Sequence, residues 1–261
     1  MSTMSHVESH APLPAIRRIG IADLQMALES GIADFREIPS HAVFLCLFYP
    51  VVGLLIGGIM LRYDVAPLLF PLAAGFALVG PFAAVGLYEL SRRRKLGVDG
   101  SWQHAFDVFR SPAKWSILAL GILLLAIFIA WLLVAQWLYG ATVGTLTPRD
   151  AGDFFRDVIT TPAGWRMIIF GVLIGFVFAV VAMCISVISF PLLLDRHVSA
   201  AVAMLTSVRA VLENPRTMTV WGLIVAAGLV AGSIPFLLGL AVVMPVLGHA
   251  TWHLYQRVVP G

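Results

Sequence analysis

The chain has 261 residues, 60% of them hydrophobic and 12% charged, with a formal charge of +3 and a mean hydropathy of +0.93. A water-soluble domain carries about twice that share of charge, so a water-facing globule is excluded and the lipid bilayer is the solvent these side chains fit. The basic excess does not form the extended patch that nucleic acid requires: its one tight run, Arg92-Arg93-Arg94-Lys95, directly follows an apolar segment, as a cytoplasmic anchor does.

Residues 1–19 lack the apolar stretch of a secretory signal and are interrupted by Pro12, Pro14, Arg17 and Arg18. They read as a retained, flexible cytoplasmic tail ahead of a single transmembrane domain, 20–261. Residues 20–37 then place Ile21, Leu24, Leu28, Ile32 and Phe35 on one helical face, with Asp23, Gln25, Glu29, Asp34, Arg36 and Glu37 elsewhere. That period suits a short amphipathic helix lying at the membrane interface.

Apolar runs long enough to cross a hydrocarbon core of about 30 Å follow at 42–61, 66–89, 115–139 and 166–194. A last run, 218–256, is too long for one straight helix at about 1.5 Å per residue. Gly232-Ser233-Ile234-Pro235 breaks it into 218–233 and 235–256. The expectation is an all-α polytopic membrane helix bundle of about six transmembrane helices with short interfacial helices between them. With both ends in the cytoplasm, thirteen of the 17 Lys and Arg residues fall on the inner side and Arg62, Arg149, Arg156 and Arg166 on the outer, as the positive-inside rule requires. A five-span layout moves only Arg257.

The connecting segments repeat a theme. Trp102, Ala105, Phe106 and Phe109 share a face in 101–110, and Val198, Ala201, Val202, Leu205, Val208 and Leu212 share one in 198–213. Another such helix is expected over 148–160, with Thr147 as N-cap and Pro148 at the first helical position. Four of these segments end in a proline word: Phe35-Arg36-Glu37-Ile38-Pro39, Val108-Phe109-Arg110-Ser111-Pro112, Val158-Ile159-Thr160-Thr161-Pro162 and Val211-Leu212-Glu213-Asn214-Pro215. Trp115, Trp165 and Trp221 come shortly after, at expected headgroup depth. Residues 75–93 also echo 239–257, with six of nineteen positions identical, which leaves internal duplication and shared composition both open.

Inside the spans, Gly53/Gly57, Gly171/Gly175 and Gly228/Gly232 are small-residue pairs that let helix backbones approach; they favour contacts within the chain over a dimer interface. Pro50, Pro71, Pro81, Pro191 and Pro245 each remove a helix hydrogen bond, and fixed bends are the expected result. Cys46 and Cys184 lie in apolar runs as packing thiols. Glu89 is expected to pair with Arg92 or Arg93 or to be solvated, and Asp195-Arg196-His197 to pair locally.

No catalytic motif is present, so no catalytic residue is assigned, and no metal site or cofactor is expected. His249 and His253, four apart on the last helix, are the one candidate for a cofactor-binding pair. Their ordinary reading is a pair of interfacial imidazoles facing headgroups.

The stretches Pro71-Leu-Ala-Ala-Gly-Phe-Ala-Leu-Val-Gly-Pro-Phe-Ala-Ala-Val-Gly-Leu-Tyr-Glu-Leu-Ser-Arg-Arg and Pro245-Val-Leu-Gly-His-Ala-Thr-Trp-His-Leu-Tyr resemble domain-of-unknown-function family 2189, bacterial predicted integral membrane proteins, from about residue 20 onward. The resemblance implies a bacterial inner membrane and transfers no catalytic residue. Some members carry the label cytochrome c oxidase subunit I; this sequence departs from that enzyme's pattern, with half the spans and without the full set of haem and copper histidines.

The functional expectation is a non-catalytic structural, assembly or regulatory membrane factor. Its partners are the lipid bilayer and, as candidates, another membrane protein or a second copy; nucleic acid is not among them. The alternatives are a passive channel or transporter for an apolar or amphipathic solute, and a haem- or metal-linked respiratory accessory protein. Tags placed at the two ends should label from the same side of sealed vesicles; labelling from opposite sides would remove the six-span layout.

Overall fold

The computed structural model describes residues 13–38, 53, 58, 69–144, 151–196, 198–235 and 237–260. The described residues are helical with irregular connections: α1 (Ile21–Glu37), α2 (Leu69–Ala83), α3 (Val85–Lys95), a 3-10 helix (Trp102–Arg110), α4 (Lys114–Thr142), α5 (Ala151–Thr160), α6 (Pro162–Ser186), α7 (Ser189–Asp195), α8 (Ala200–Glu213), α9 (Pro215–Ser233) and α10 (Leu240–Val258).

Among the described residues three helical stretches are long and apolar enough to cross a membrane: Lys114–Thr142, Pro162–Asp195 and Pro215–Ser233. The first expected span, 42–61, lies outside the described residues except for Gly53 and Gly58. The second is divided: Pro81 sits in the last turn of α2, and Ala84 separates α2 from α3. The last, α10, carries His249, Thr251 and His253 and is largely enclosed by protein. Thr147 and Pro148 also lie outside the described residues.

Two of the proline words act at helix starts, Pro112 lies in the turn ahead of α4, and Pro39 is outside the described residues. Pro162 and Pro215 occupy the first turns of α6 and α9, where a missing N–H costs nothing. Thr161 caps α6, its hydroxyl accepting from the Gly164 N–H at 3.0 Å. The fourth expected span is broken at Val187–Ile188 ahead of Pro191, and α8 repairs the break. The Ile188 N–H donates to Ser207 Oγ at 3.1 Å, and Ser189 Oγ donates to the Ala203 carbonyl at 3.1 Å. These bonds satisfy main-chain and hydroxyl groups that lipid could not.

α4 shows two faces. Ile117, Leu120, Leu124, Trp131 and Leu138 are buried, whereas Trp115, Leu118, Ile122, Leu125, Ile129 and Leu133 form an exposed stripe at helical spacing. α6 exposes Ile169, Val172, Leu173, Phe176 and Val177. Apolar surface of this extent is a wall for acyl chains.

The surface helices depart from the expected orientation. α1 buries Leu24, Ala27, Gly31 and Asp34, while Ile21 and Ile32 stay exposed. α8 turns Ala203, Thr206, Ser207 and Ala210 inward and leaves Leu205 and Leu212 outside. Small residues face the bundle because they let helix axes come close, and the large apolar side chains are left on the outside. Trp115 and Trp165 are exposed, but Trp221 is buried in the core beside Met218, not at headgroup depth.

The glycine pairs point at neighbouring helices of the same chain. A Cβ on Gly175 would lie 3.1 Å from the Trp131 ring of α4, and one on Gly228 would lie 3.2 Å from Val243 of α10. Gly171 faces Leu138, Gly232 faces Leu240, and Gly53 faces Leu237; Gly57 is outside the described residues. Pro245 is buried within α10.

α1 and α10 meet at backbone contact, where a Cβ on Gly31 would stand 2.6 Å from the Ala250 nitrogen and 2.8 Å from its Cα. Gly31→Ala should therefore destabilise the detergent-solubilised protein by roughly 1–3 kcal/mol, read as a fall in thermal midpoint. Gly20→Ala, with nothing within 4 Å, should leave it unchanged.

Candidate functional site

The close seating of Gly31 on Ala250 brings the next turn of α1 against α10, and Asp34 then lies beside His249 and His253. α3 completes the site with Ser91 and Arg94, three apart and so on one face. Asp34, Ser91 and His249 are 3%, 1% and 0% exposed.

The carboxylate is met from three directions. Ser91 Oγ donates to Asp34 Oδ2 at 2.6 Å, His253 Nε2 stands 2.9 Å from the same oxygen, and Arg94 pairs with Oδ1. Arg94 also pairs with Glu37, tying the end of α1 to α3. Burial pushes the Asp34 carboxyl up; the hydrogen bonds from His253 and Ser91, with the charges of His253 and His249, outweigh it and hold the group below the usual carboxylate range.

Proton positions follow from this inventory. An ionised carboxylate only accepts, so the single Ser91 proton goes to Asp34. His249 Nδ1, 2.6 Å from Ser91 Oγ, must then carry a hydrogen and donate to the serine oxygen. His249 Nε2 is left with a lone pair and without a hydrogen-bond partner among the described residues, at a cost of about 1–3 kcal/mol.

Serine, histidine and aspartate thus meet, but in the wrong order for nucleophilic catalysis. A hydrolase triad puts the imidazole between acid and serine so that the serine proton can leave to the ring. Here the serine lies between, its proton is committed to the carboxylate, and it is out of reach of solvent. The cluster fastens helices together and generates no nucleophile.

A second set of polar contacts surrounds the first. Arg92 grips Glu89 with two hydrogen bonds, at 2.8 and 3.0 Å, as the spacing foretold, and Arg93 lies 4.0 Å from the same carboxylate. Tyr255 of α10 donates to Asp195 at 2.6 Å, and Arg196 lies 3.9 Å from Asp195. The stretch expected to be a flexible tail is tied down where it is described. The Arg17 N–H donates to the Val258 carbonyl at 2.8 Å, and the Ile19 N–H to Asn214 Oδ1 at 2.8 Å. Thr217 Oγ1 donates back to the Ile19 carbonyl at 2.9 Å.

The two histidines that the sequence spacing picks out lie on one side of α10, His249 bonded to Ser91 and His253 to Asp34. His249 is enclosed by protein rather than facing headgroups, and both rings turn to Asp34 instead of to a shared open point. No group of three or more metal-ligating side chains arranged to hold a metal ion occurs among the described residues. Sequence spacing does not single out Asp34, Ser91 and Arg94. The signal for them is the small-residue series Ala27, Gly31, which marks the packed face of α1 and carries Asp34 onto it.

Long helices with exposed apolar walls, fastened by polar contacts at one end, define an integral membrane protein of the α-helical class. Residues 69–195 match the family model described as Predicted integral membrane protein (DUF2189). The match is narrower than the resemblance read from the sequence and leaves the 245–255 stretch outside it. No curated protein and no solved structure matches the chain.

Asp34 gives a pH dependence. Its folded value lies below the unfolded one of about 4, so its contribution to stability is complete above that value and is lost as pH falls through the folded value. Asp34→Ala, which leaves Ser91 and His253 without this acceptor and Arg94 with Glu37 alone, should cost on the order of 1–3 kcal/mol at neutral pH. Thermal midpoints taken from pH 7 down to 3 should fall for the native chain and fall less for Asp34→Asn. Parallel curves would show that the carboxylate carries no such load.

Proposed function

We propose that the protein is a non-catalytic structural or assembly factor of the bacterial inner membrane, multi-pass, with both ends in the cytoplasm. The observation that carries this reading is the enclosure of the Asp34 cluster. The group with the most chemical capacity is spent internally, joining α1, α3 and α10. The paired Glu89 and Arg92 and the Asp195–Tyr255 bond serve the same end of the bundle. Fixed helix geometry and outward apolar walls suit a protein that offers surfaces to lipid and to another membrane protein, or to a second copy of itself.

The full-length protein, crosslinked in native membranes and purified in mild detergent, should bring down a reproducible membrane-protein partner or its own dimer. Reconstituted alone, it should pass no more tracer than empty vesicles across a panel of amphipathic solutes. Solute entry above that level overturns the reading in favour of a channel or transporter, and a Soret band in the purified protein overturns it in favour of a haem-linked role.

A further inference from the structure

The exposed stripe of α4 begins at Trp115, so the hydrocarbon boundary falls at this residue. The preceding turn and the 3-10 helix then stand at headgroup level. Their outward side is aromatic and cationic. Phe106 and Phe109 are stacked with ring centroids 6.5 Å apart, and Phe109 is 69% exposed. Trp115 is 70% exposed, with the Lys114 ammonium 5.5 Å from its ring centroid.

Charge on this face is only partly balanced. The Arg110 side chain is 88% exposed and reaches Asp107 at 3.6 Å. Asp107 is also held by His104 at 2.6 Å and by Arg93 at 3.5 Å. His104 also lies 3.4 Å from Asp99 and Arg93 4.0 Å from Glu89, but exposed Arg110 has to share Asp107 with both of them, and Lys114 rests on an indole. Exposed rings beside under-balanced cations, continuous with a lipid-facing stripe, match the chemistry of an anionic headgroup above acyl chains.

We propose that Phe106, Phe109, Arg110, Lys114 and Trp115 form a binding surface for anionic phospholipid, with the rings among the upper acyl carbons and the two cations on the headgroup phosphate. The surface selects charge at one place on the perimeter, whereas the α4 and α6 walls below it accept any acyl chain. The proposal holds whether the protein assembles with others or acts alone.

Brominated lipids quench nearby tryptophan, so the test compares dibromo-phosphatidylglycerol with dibromo-phosphatidylcholine as quenchers of the full-length protein in vesicles. Each cation is worth roughly fivefold in preference for the anionic lipid, and the native protein should favour it by that order or more. Arg110→Gln with Lys114→Gln should bring the ratio close to one, and Trp115→Phe should remove the headgroup-dependent part of the quenching. High salt on the native protein should shrink the preference, a check that holds even if the double variant fails to fold. Equal quenching by both lipids, a preference that survives the double substitution, or one indifferent to salt would falsify the proposal.

Discussion

A carboxylate drawn out of water must be met by donors or lose its charge. Asp34 is met by three, from two other helices. Its position requires α1 to lie against α10 at backbone contact, which Gly31 over Ala250 permits. The arrangement joins the first described helix to the last one and draws in α3 between them. The strap at Arg17–Ile19 and the Asp23–Arg257 pair at 3.5 Å hold the same two ends from the other side. In a bilayer the hydrophobic effect does not press helices together. Polar contacts at the aqueous end and close-packed small residues supply the specificity that burial supplies in water.

The two halves of the molecule obey different rules as a result. Asp34 and Glu89 are enclosed and paired, Asp195 is paired with Tyr255 nearer the surface, and large aromatics such as Trp252 and Tyr255 are buried on α10. Along α6, large apolar side chains point outward and the small Gly164, Ala182 and Ser186 inward, while α4 carries large apolar side chains on both faces. A helix oriented only by the side that carries its largest apolar residues is turned the wrong way under the second rule. α8 shows why: its leucines mark the outer side and its Thr206 and Ser207 the inner.

The class of fold was legible because it depends on sums. Sparse charge and long apolar runs name the solvent, and α4, α6 and α9 form where the runs are longest. Proline words were legible because proline has a fixed backbone preference, as Pro162 and Pro215 show. The pairing of Glu89 with Arg92 was legible because it is local along one helix. The site was only half legible. His249 and His253 share a helical face by spacing, but Asp34 reaches them across 219 residues of chain from His253, and no local pattern encodes that distance. Periodicity puts Asp34 on the wet face of α1 because a pattern that weighs Leu and Ile gives Ala27 and Gly31 no vote. Analogy with Trp115 and Trp165 puts Trp221 at the headgroups, although α9 packs that side against the core.

The repair at Val187–Ile188 bears on the order in which the protein is built. The Ile188 amide has its acceptor on Ser207, nineteen residues further along. Until α8 has been translated, that main-chain group lacks this acceptor. The bend between α6 and α7 is therefore completed by a helix later in the chain.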